Sequence, residues 1–166
     1  MQRGHRDGTQ ISQGLPVNGA DSPRVFVPPP LIFGGFLGLG LFVDRDPAQL
    51  GMAQVSAILL ASISMGLIVT ALGLFRTNRT RPEPWQPSDV LVNDGVYHFT
   101  RNPMYLGMAL LSLAIALFFM SLPALGLTLV AAIIIDRTVI VREEAYLARR
   151  FDGQYQAYRR SVRRWL

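Results

Sequence analysis

Residues 50–75, LGMAQVSAILLASISMGLIVTALGLF, contain no charged side chain in 26 consecutive positions. A helix of roughly 20 apolar residues is long enough to cross the hydrocarbon core of a bilayer. An uncharged stretch of this length therefore predicts a transmembrane helix, in preference to a buried helix of a soluble protein.

Three further apolar runs lie on either side of this stretch, and polar loops separate them. With it they predict four transmembrane helices, at about 25–43, 50–75, 103–120 and 122–141. The first run reaches a spanning length because three prolines, 28–30, fall in its first turn, where a missing amide donor costs least. The predicted fold is therefore all-α, an integral membrane helical bundle of about four transmembrane helices.

The composition agrees with this class and excludes several kinds of site. Half of the 166 residues are hydrophobic and only 16% are charged, which is too apolar for an ordinary soluble domain of this size. There is no cysteine, so disulfides, thiolate nucleophiles and cysteine metal sites are excluded. His5 and His98 are too far apart in sequence for a familiar zinc spacing, and no metal site is predicted.

The arginines predict the orientation of the bundle. All sixteen basic residues are arginine, and Arg45 alone falls in a predicted outer loop. The others lie in the N-terminal tail, the central loop and the C-terminal tail, apart from Arg137 inside the fourth run. The positive-inside rule then predicts that both termini are cytoplasmic. Topology and anionic lipid headgroups account for the net charge of +5, so no nucleic-acid partner is predicted.

Outside the spans, three segments have distinct compositions. Residues 1–24 are predicted to be a flexible polar tail, and 25–166 the membrane domain. Residues 76–102 contain three prolines and an Asp94-Gly95 turn, which exclude a single regular helix. Residues 142–166 carry an apolar and aromatic stripe at helical spacing, with arginines between and an interruption expected at Asp152-Gly153. Anchoring at the membrane surface is one interpretation of this amphipathic tail.

Small residues recur in the first two spans, including Gly34 and Gly38 at Gly-x-x-x-Gly spacing. Such residues allow membrane helices to approach closely. They predict packing within the bundle or against a second subunit, and no chemistry is assigned to them.

Two polar segments adjoin the last two spans. The first, GVYHFTRNPMYLG at 95–107, runs directly into the third span. A turn, a helix start at Pro103 and interfacial tyrosines would explain most of it. Asn102 fits that interpretation less well, because asparagine is a good hydrogen-bonding or helix-capping residue and a poor filler. A functional site at this point is the alternative.

The second polar segment is at the end of the fourth span. In a straight helix, seven residues make nearly two turns, so Asp136 shares a face with Glu143, and Arg137 with Glu144. A salt-bridge cluster at the membrane border and a functional site both account for these four charges.

Together the two segments carry a recognisable pattern. LVxxGxYxxxRNPxYxG at 91–107, followed by EExxLxxxFxxxYxxY at 143–158, resembles the isoprenylcysteine carboxyl methyltransferase family, particularly its short bacterial members. The resemblance covers about residues 75–165. More distantly, the pattern is similar to phospholipid N-methyltransferases and membrane sterol reductases.

This resemblance implies a membrane enzyme that binds S-adenosylmethionine in a cavity closed by its C-terminal segment. A lipophilic acceptor would enter laterally from the membrane lipids. Carried over by motif, the residues expected to bind the cofactor are Asp89, Val90, Leu91, Val92, Tyr97, Asn102, Pro103, Met104, Tyr105 and Glu143. Where the family has an acceptor-binding arginine this chain has Val139, so Arg137 or Arg142 is expected to take that role. The eukaryotic members have histidine where Asn102 stands.

The acceptor chemistry stays open at this point. A carboxylate acceptor, as in the isoprenylcysteine enzymes, is already ionised and needs an arginine but no base. A lipid amine, as in phospholipid methylation, would need Glu143 or Glu144 to accept a proton. Carboxyl O-methylation is the leading prediction and N-methylation the alternative. A non-catalytic lipid-binding or assembly subunit is the alternative from another class.

Overall fold

The computed structural model describes residues 27–43, 51–78 and 90–166, and within these ranges all regular structure is helical. The elements are α1 (Pro29–Val43), α2 (Met52–Thr77), a 3₁₀ turn (Gly95–His98), α3 (Pro103–Phe118), α4 (Leu122–Ile135), a π-helical segment (Asp136–Ile140) and α5 (Val141–Ser161). The all-α prediction is confirmed for the described residues. The predicted N-terminal tail, 1–24, and residues 79–89 of the 76–102 loop lie outside them.

Among the described residues, two helices are long and apolar enough to cross a membrane. They are α2, with 26 residues, and the continuous helix Leu122–Ser161 that α4, the π segment and α5 form together. Helices α1 and α3 are apolar but have only 15 and 16 residues. At 1.5 Å per residue these measure about 22 and 24 Å, less than the roughly 30 Å of a typical hydrocarbon core. The structure supports a membrane protein, and the four-span arrangement stays a prediction.

The helices pack as two close pairs, α2 with α3 and α1 with α4, and α3 joins the pairs through contacts with α4 and α1. Close approach depends on two glycines. A Cβ atom on Gly40 would lie 2.4 Å from the Ala124 Cα, and one on Gly107 would lie 2.5 Å from the Ile68 Cγ1. By contrast, a Cβ atom placed on Gly34 or Gly38 would have no neighbouring atom of another element within 4 Å among the described residues. The Gly-x-x-x-Gly pair of α1 therefore does not mediate the helix packing seen here.

Hydrogen-bonding contacts join the turn between α3 and α4 to α1 and α2. We call this part of the bundle, where Gly40, Gln54 and residues 118–124 meet, the hairpin end. Gln54 donates a hydrogen bond to the Phe118 carbonyl over 3.1 Å, which satisfies a group at the end of α3. Ser121 caps α4 by accepting from the Ala124 amide at 3.3 Å, and its hydroxyl lies 3.5 Å from the Gly40 carbonyl.

The π-helical segment changes the register of the charged residues that follow it. A π turn holds about one residue more than an α turn, so each later side chain is rotated relative to a straight helix. The straight-helix prediction pairs Asp136 with Glu143. In the structure Asp136 and Glu144 both bind the Arg164 guanidinium, and Glu143 points elsewhere.

Helix α5 is kinked at Asp152 (φ 37°, ψ −116°), which confirms the predicted interruption. Beyond the kink, Tyr155, Tyr158 and Val162 are buried in a cluster with Val92 and Tyr97. The apolar stripe of the tail therefore packs inside the protein. Surface anchoring does not account for these three residues.

Candidate functional site

A cavity opens where the 90–97 segment, the start of α3 and both halves of α5 meet. Its interior volume is about 50 Å³, small beside the roughly 300 to 1,000 Å³ of ordinary small-molecule sites, so a larger ligand must also occupy the open mouth. Nine of the residues singled out from the sequence line it: Val90, Leu91, Val92, Tyr97, Asn102, Met104, Tyr105, Glu143 and Glu144. The two polar segments are thus brought together in space, although about 40 residues of chain separate them.

The other residues predicted for the site lie elsewhere. Pro103 is buried at the start of α3 but is not part of the cavity wall. Arg137 and Arg142 are exposed and do not line the cavity, and the Arg137 Nε lies 3.6 Å from the Asp136 Oδ2. Asp89 lies outside the described residues.

Five further residues line the cavity without having been given a role from the sequence: Phe75, Arg101, Leu147, Tyr155 and Tyr158. Four of them belong to the two quoted motifs, and Phe75 is near the end of α2. The apolar stripe of the tail was the available signal for Tyr155 and Tyr158. For Arg101 the available signal was its place in the first motif, which no other arginine shares.

Glu143 is held by Tyr105 at the cavity wall. The Tyr105 hydroxyl donates to the Glu143 Oε2 over 2.9 Å. Pro103, in the first turn of α3, starts that helix and so places Tyr105 one turn from the linker. A hydrogen bond to a carboxylate is stronger than a neutral one, so the pair orients Glu143 within a largely aromatic wall.

Glu144, the neighbouring residue, is instead bound by two arginines. Arg164 reaches both of its oxygens, at 2.7 Å from Nη2 and 3.1 Å from Nε, and the Arg101 Nη2 lies 3.2 Å from Oε1. The hydrogen bond with Glu144, and then attraction to both Glu144 and Asp136, raises the pKa of Arg164 against the cost of burial. Asp136 also accepts from the Trp165 indole over 2.9 Å. The negative charge of Glu144 is therefore already compensated.

The last residues of the chain form a strap across the linker before α3; we use this name for residues 162–166. The Arg101 amide donates to the Arg163 carbonyl over 2.9 Å. The Arg164 carbonyl accepts from the Thr100 hydroxyl at 3.1 Å and from the Asn102 amide group at 2.9 Å. Asn102 makes no side-chain capping bond to α3, so its amide serves the strap.

Tyr97 forms another part of the wall. Its carbonyl accepts a 2.7 Å hydrogen bond from the Tyr158 hydroxyl, and its ring meets Phe75 edge-on at 5.8 Å between centroids. Burial raises the pKa of Tyr97, and the nearby Glu143 carboxylate and Tyr158 raise it further. The hydroxyl therefore stays neutral at physiological pH, and Tyr97 contributes an aromatic surface.

The described residues hold no group of three or more histidine, cysteine, aspartate or glutamate side chains that could bind a metal ion. The chemistry available at the cavity is that of one oriented carboxylate, one compensated carboxylate, a buried arginine and several tyrosine rings. Such a wall suits a ligand that carries positive charge.

Comparison with known proteins adds a family match. A family model described as "PEMT: Phospholipid methyltransferase" matches residues 50–154, well over half of the chain. An uncharacterized protein of Haemophilus influenzae is 41% identical over 64 residues, which are 38% of this chain and the whole of that protein. No solved structure matches the chain.

Proposed function

We propose that this chain, which belongs to the phospholipid methyltransferase family, is a membrane enzyme that transfers a methyl group from S-adenosylmethionine to a lipid acceptor. Membership of the family supports methyl transfer to a lipid at a membrane. The observation that carries the proposal is the Glu143–Tyr105 pair in the wall of the cavity, close to the end of an apolar span.

The residues of the cavity fit the proposed methyl donor. S-adenosylmethionine carries a sulfonium cation, and aromatic faces and carboxylates both attract such a charge. Tyr97 and Tyr105 supply rings, and Glu143 supplies a carboxylate at the same wall. When bound, this donor supplies an activated methyl group, and its sulfur leaves as a neutral thioether.

The protein's own contribution is to align the reactants and exclude water. The second half of α5 contributes Tyr155 and Tyr158 to the cavity wall, and the strap holds Asn102 at the start of α3. Exposed apolar side chains cover much of α2, among them Ile58, Ile63 and Val69. In a membrane these contact lipid, which suits an acceptor that arrives from the bilayer rather than from water.

For the acceptor we propose a carboxylate, as in isoprenylcysteine carboxyl methylation. A carboxylate oxygen is ionised at neutral pH, so it forms the new bond to the methyl carbon while the carbon–sulfur bond breaks, and no proton moves. Arg137 and Arg142 remain our candidates for attracting it. Because both are exposed, they would meet the acceptor at the mouth of the site.

The alternative is N-methylation of a lipid amine, which the position of Glu143 favours. An amine nitrogen that forms a bond to the methyl carbon must lose a proton. The Glu143 carboxylate lines the cavity, so it is placed to accept that proton directly or through water. The description of the matched family also names phospholipids as the substrates.

The test is methyl transfer from radiolabelled S-adenosylmethionine by the purified full chain in lipid nanodiscs. The acceptors offered are extracted bacterial lipids, phosphatidylethanolamine and a prenylcysteine analogue, and the product is then treated with alkali. Volatile label released by alkali identifies a methyl ester and supports the carboxyl proposal. Alkali-stable lipid label supports N-methylation instead. If no acceptor is labelled and S-adenosylmethionine does not bind, the proposal is wrong and a non-catalytic lipid-binding or assembly subunit is favoured.

We further propose that α1 and α3 also span the membrane and that both termini are cytoplasmic. The chain contains no cysteine, so single introduced cysteines report topology without background. Met120→Cys in intact spheroplasts should react with a membrane-impermeant maleimide, whereas Arg160→Cys should react only after permeabilisation. The reverse pattern would contradict the orientation.

A further inference from the structure

Arg101 is buried at the cavity beside Glu144 and Tyr155, and two of its three side-chain nitrogens have no hydrogen-bond partner among the described residues. Its side chain is only 9% exposed and it lines the cavity. Its Nη2 group contacts the Glu144 Oε1 at 3.2 Å. Its Nε and Nη1 atoms are buried and have no hydrogen-bond partner among the described residues.

This arrangement is unfavourable unless something else completes it. A guanidinium carries five N–H donors. A buried donor without an acceptor loses its hydrogen bonds to water and gains none from the protein, which costs free energy. Glu144 engages only the Nη2 group of Arg101, and Arg164 binds both oxygens of that carboxylate at shorter distances. The backbone at Arg101 is also held in place, since its amide donates to the Arg163 carbonyl of the strap.

We propose that Arg101 is the anion-binding residue of this cavity, whose free N–H groups bind a carboxylate or phosphate group of a bound ligand. The inference rests on the proposed function for the identity of that ligand. A planar guanidinium presents paired N–H groups along its edges, and this geometry matches the two oxygens of an oxyanion. With Glu143 in the same cavity, Arg101 provides the complement for a ligand that carries both a positive and a negative group.

Two sources supply such an anion. One is the amino-acid carboxylate of the methyl donor, whose sulfonium would then face the Glu143 side of the cavity. The other is the carboxylate or phosphate of the lipid acceptor. Either anion would accept the same hydrogen bonds from Arg101. In the first case binding of the methyl donor depends on Arg101, and in the second binding of the lipid acceptor does.

The experiment compares the wild-type chain with Arg101→Gln, Arg101→Lys and Arg159→Gln in nanodiscs. Arg159 is an exposed arginine of α5 outside the cavity, so its variant is a control for the loss of one positive charge. Binding is measured by calorimetry and thermal stabilisation for four probes. These are S-adenosylhomocysteine, 5′-methylthioadenosine (which lacks the amino-acid group), inorganic phosphate and dioleoylphosphatidate.

If the donor supplies the anion, wild type prefers S-adenosylhomocysteine to methylthioadenosine by about 10-fold or more, a typical value for a charged hydrogen bond. Arg101→Gln then loses this preference while it binds methylthioadenosine as wild type does, which also shows that the cavity is intact. If the acceptor supplies it, the preference survives, and the variant loses its response to phosphate and phosphatidate. Arg101→Lys keeps the positive charge but loses the paired N–H donors of the guanidinium. Its affinity for the anionic probes should therefore lie between those of wild type and Arg101→Gln.

The inference is overturned if Arg101→Gln, or Arg101→Lys should the glutamine variant not fold, matches the Arg159→Gln control with all four probes. Failure of the proposed function looks different. In that case wild type binds neither nucleoside and transfers no methyl group, while the phosphate and phosphatidate measurements still decide whether Arg101 binds an anion.

Discussion

The hairpin end of the bundle and the end that carries the cavity are built on different principles. At the hairpin end, helices approach because Gly40 leaves room for the backbone at Ala124, and few polar groups are involved. At the cavity end, specific hydrogen bonds and ion pairs join charged and hydroxyl groups, as with Tyr105 and Glu143 or Arg164 and Glu144. Close fit of the helix backbones dominates the first end, where Gln54 and Ser121 add hydrogen bonds, whereas specific polar pairs dominate the second.

The largest expected effect comes from Glu143→Gln at the cavity end. Replacing the Glu143 carboxyl group by an amide should weaken binding of the cationic S-adenosylmethionine and lower methyl transfer by about 100-fold, as for loss of a group that stabilises charge in the reaction. Tyr105→Phe removes only the hydrogen bond that orients Glu143 and should cost about 10-fold or less. Calorimetry and turnover in nanodiscs measure both, and wild-type behaviour of Glu143→Gln would rule out its assigned role.

Glu144→Gln tests whether charge pairing stabilises the cavity end of the bundle. The change leaves Arg164 and Arg101 without their shared carboxylate. Breaking a fully buried pair costs roughly 3 to 5 kcal/mol, but Arg164 is 30% exposed, so we expect about 2 kcal/mol after allowance for solvent screening. Thermal unfolding in detergent measures the loss. An unchanged midpoint would mean that the strap is held by its backbone bonds alone.

Gly40→Ala tests the dependence on shape at the hairpin end. Its new methyl group would meet the backbone of Ala124, so α1 must move away from α4, at a cost of about 1 to 2 kcal/mol. The matched control is Gly38→Ala in the same helix, whose methyl group meets nothing within 4 Å. Equal stability of the two variants would contradict the close packing of α1 on α4.

The smallest effect is expected on the exposed face of α2, away from both ends. Ile63 is 66% exposed, so Ile63→Ala should change stability by less than about 0.5 kcal/mol. Ile63→Asp at the same position should impair membrane insertion, because a carboxylate in hydrocarbon is costly. If the cell inserts both variants equally well, this face does not contact lipid.

Much of the fold could be predicted because its signals are local. Apolar run lengths anticipated α2 and the start of α4, and Pro103 and Ser121 mark helix starts within a residue. The motif residues also pointed to the cavity, since both polar segments adjoin the same end of consecutive helices. Local periodicity failed at the π segment, because its wider turn is invisible in the pattern and changes the partner of Asp136.

The amino-acid sequence by itself determined the helical membrane class, the extent of the apolar runs and the two motifs that face each other. These follow from hydropathy and turn chemistry, which act over a few residues. Only the tertiary structure decided that Arg101 lines the cavity while Arg137 and Arg142 stay outside, and that Arg164 in the strap binds Asp136 and Glu144. The four arginines lie near the same end of the bundle. Only long-range packing determines which of them is buried and which stays exposed.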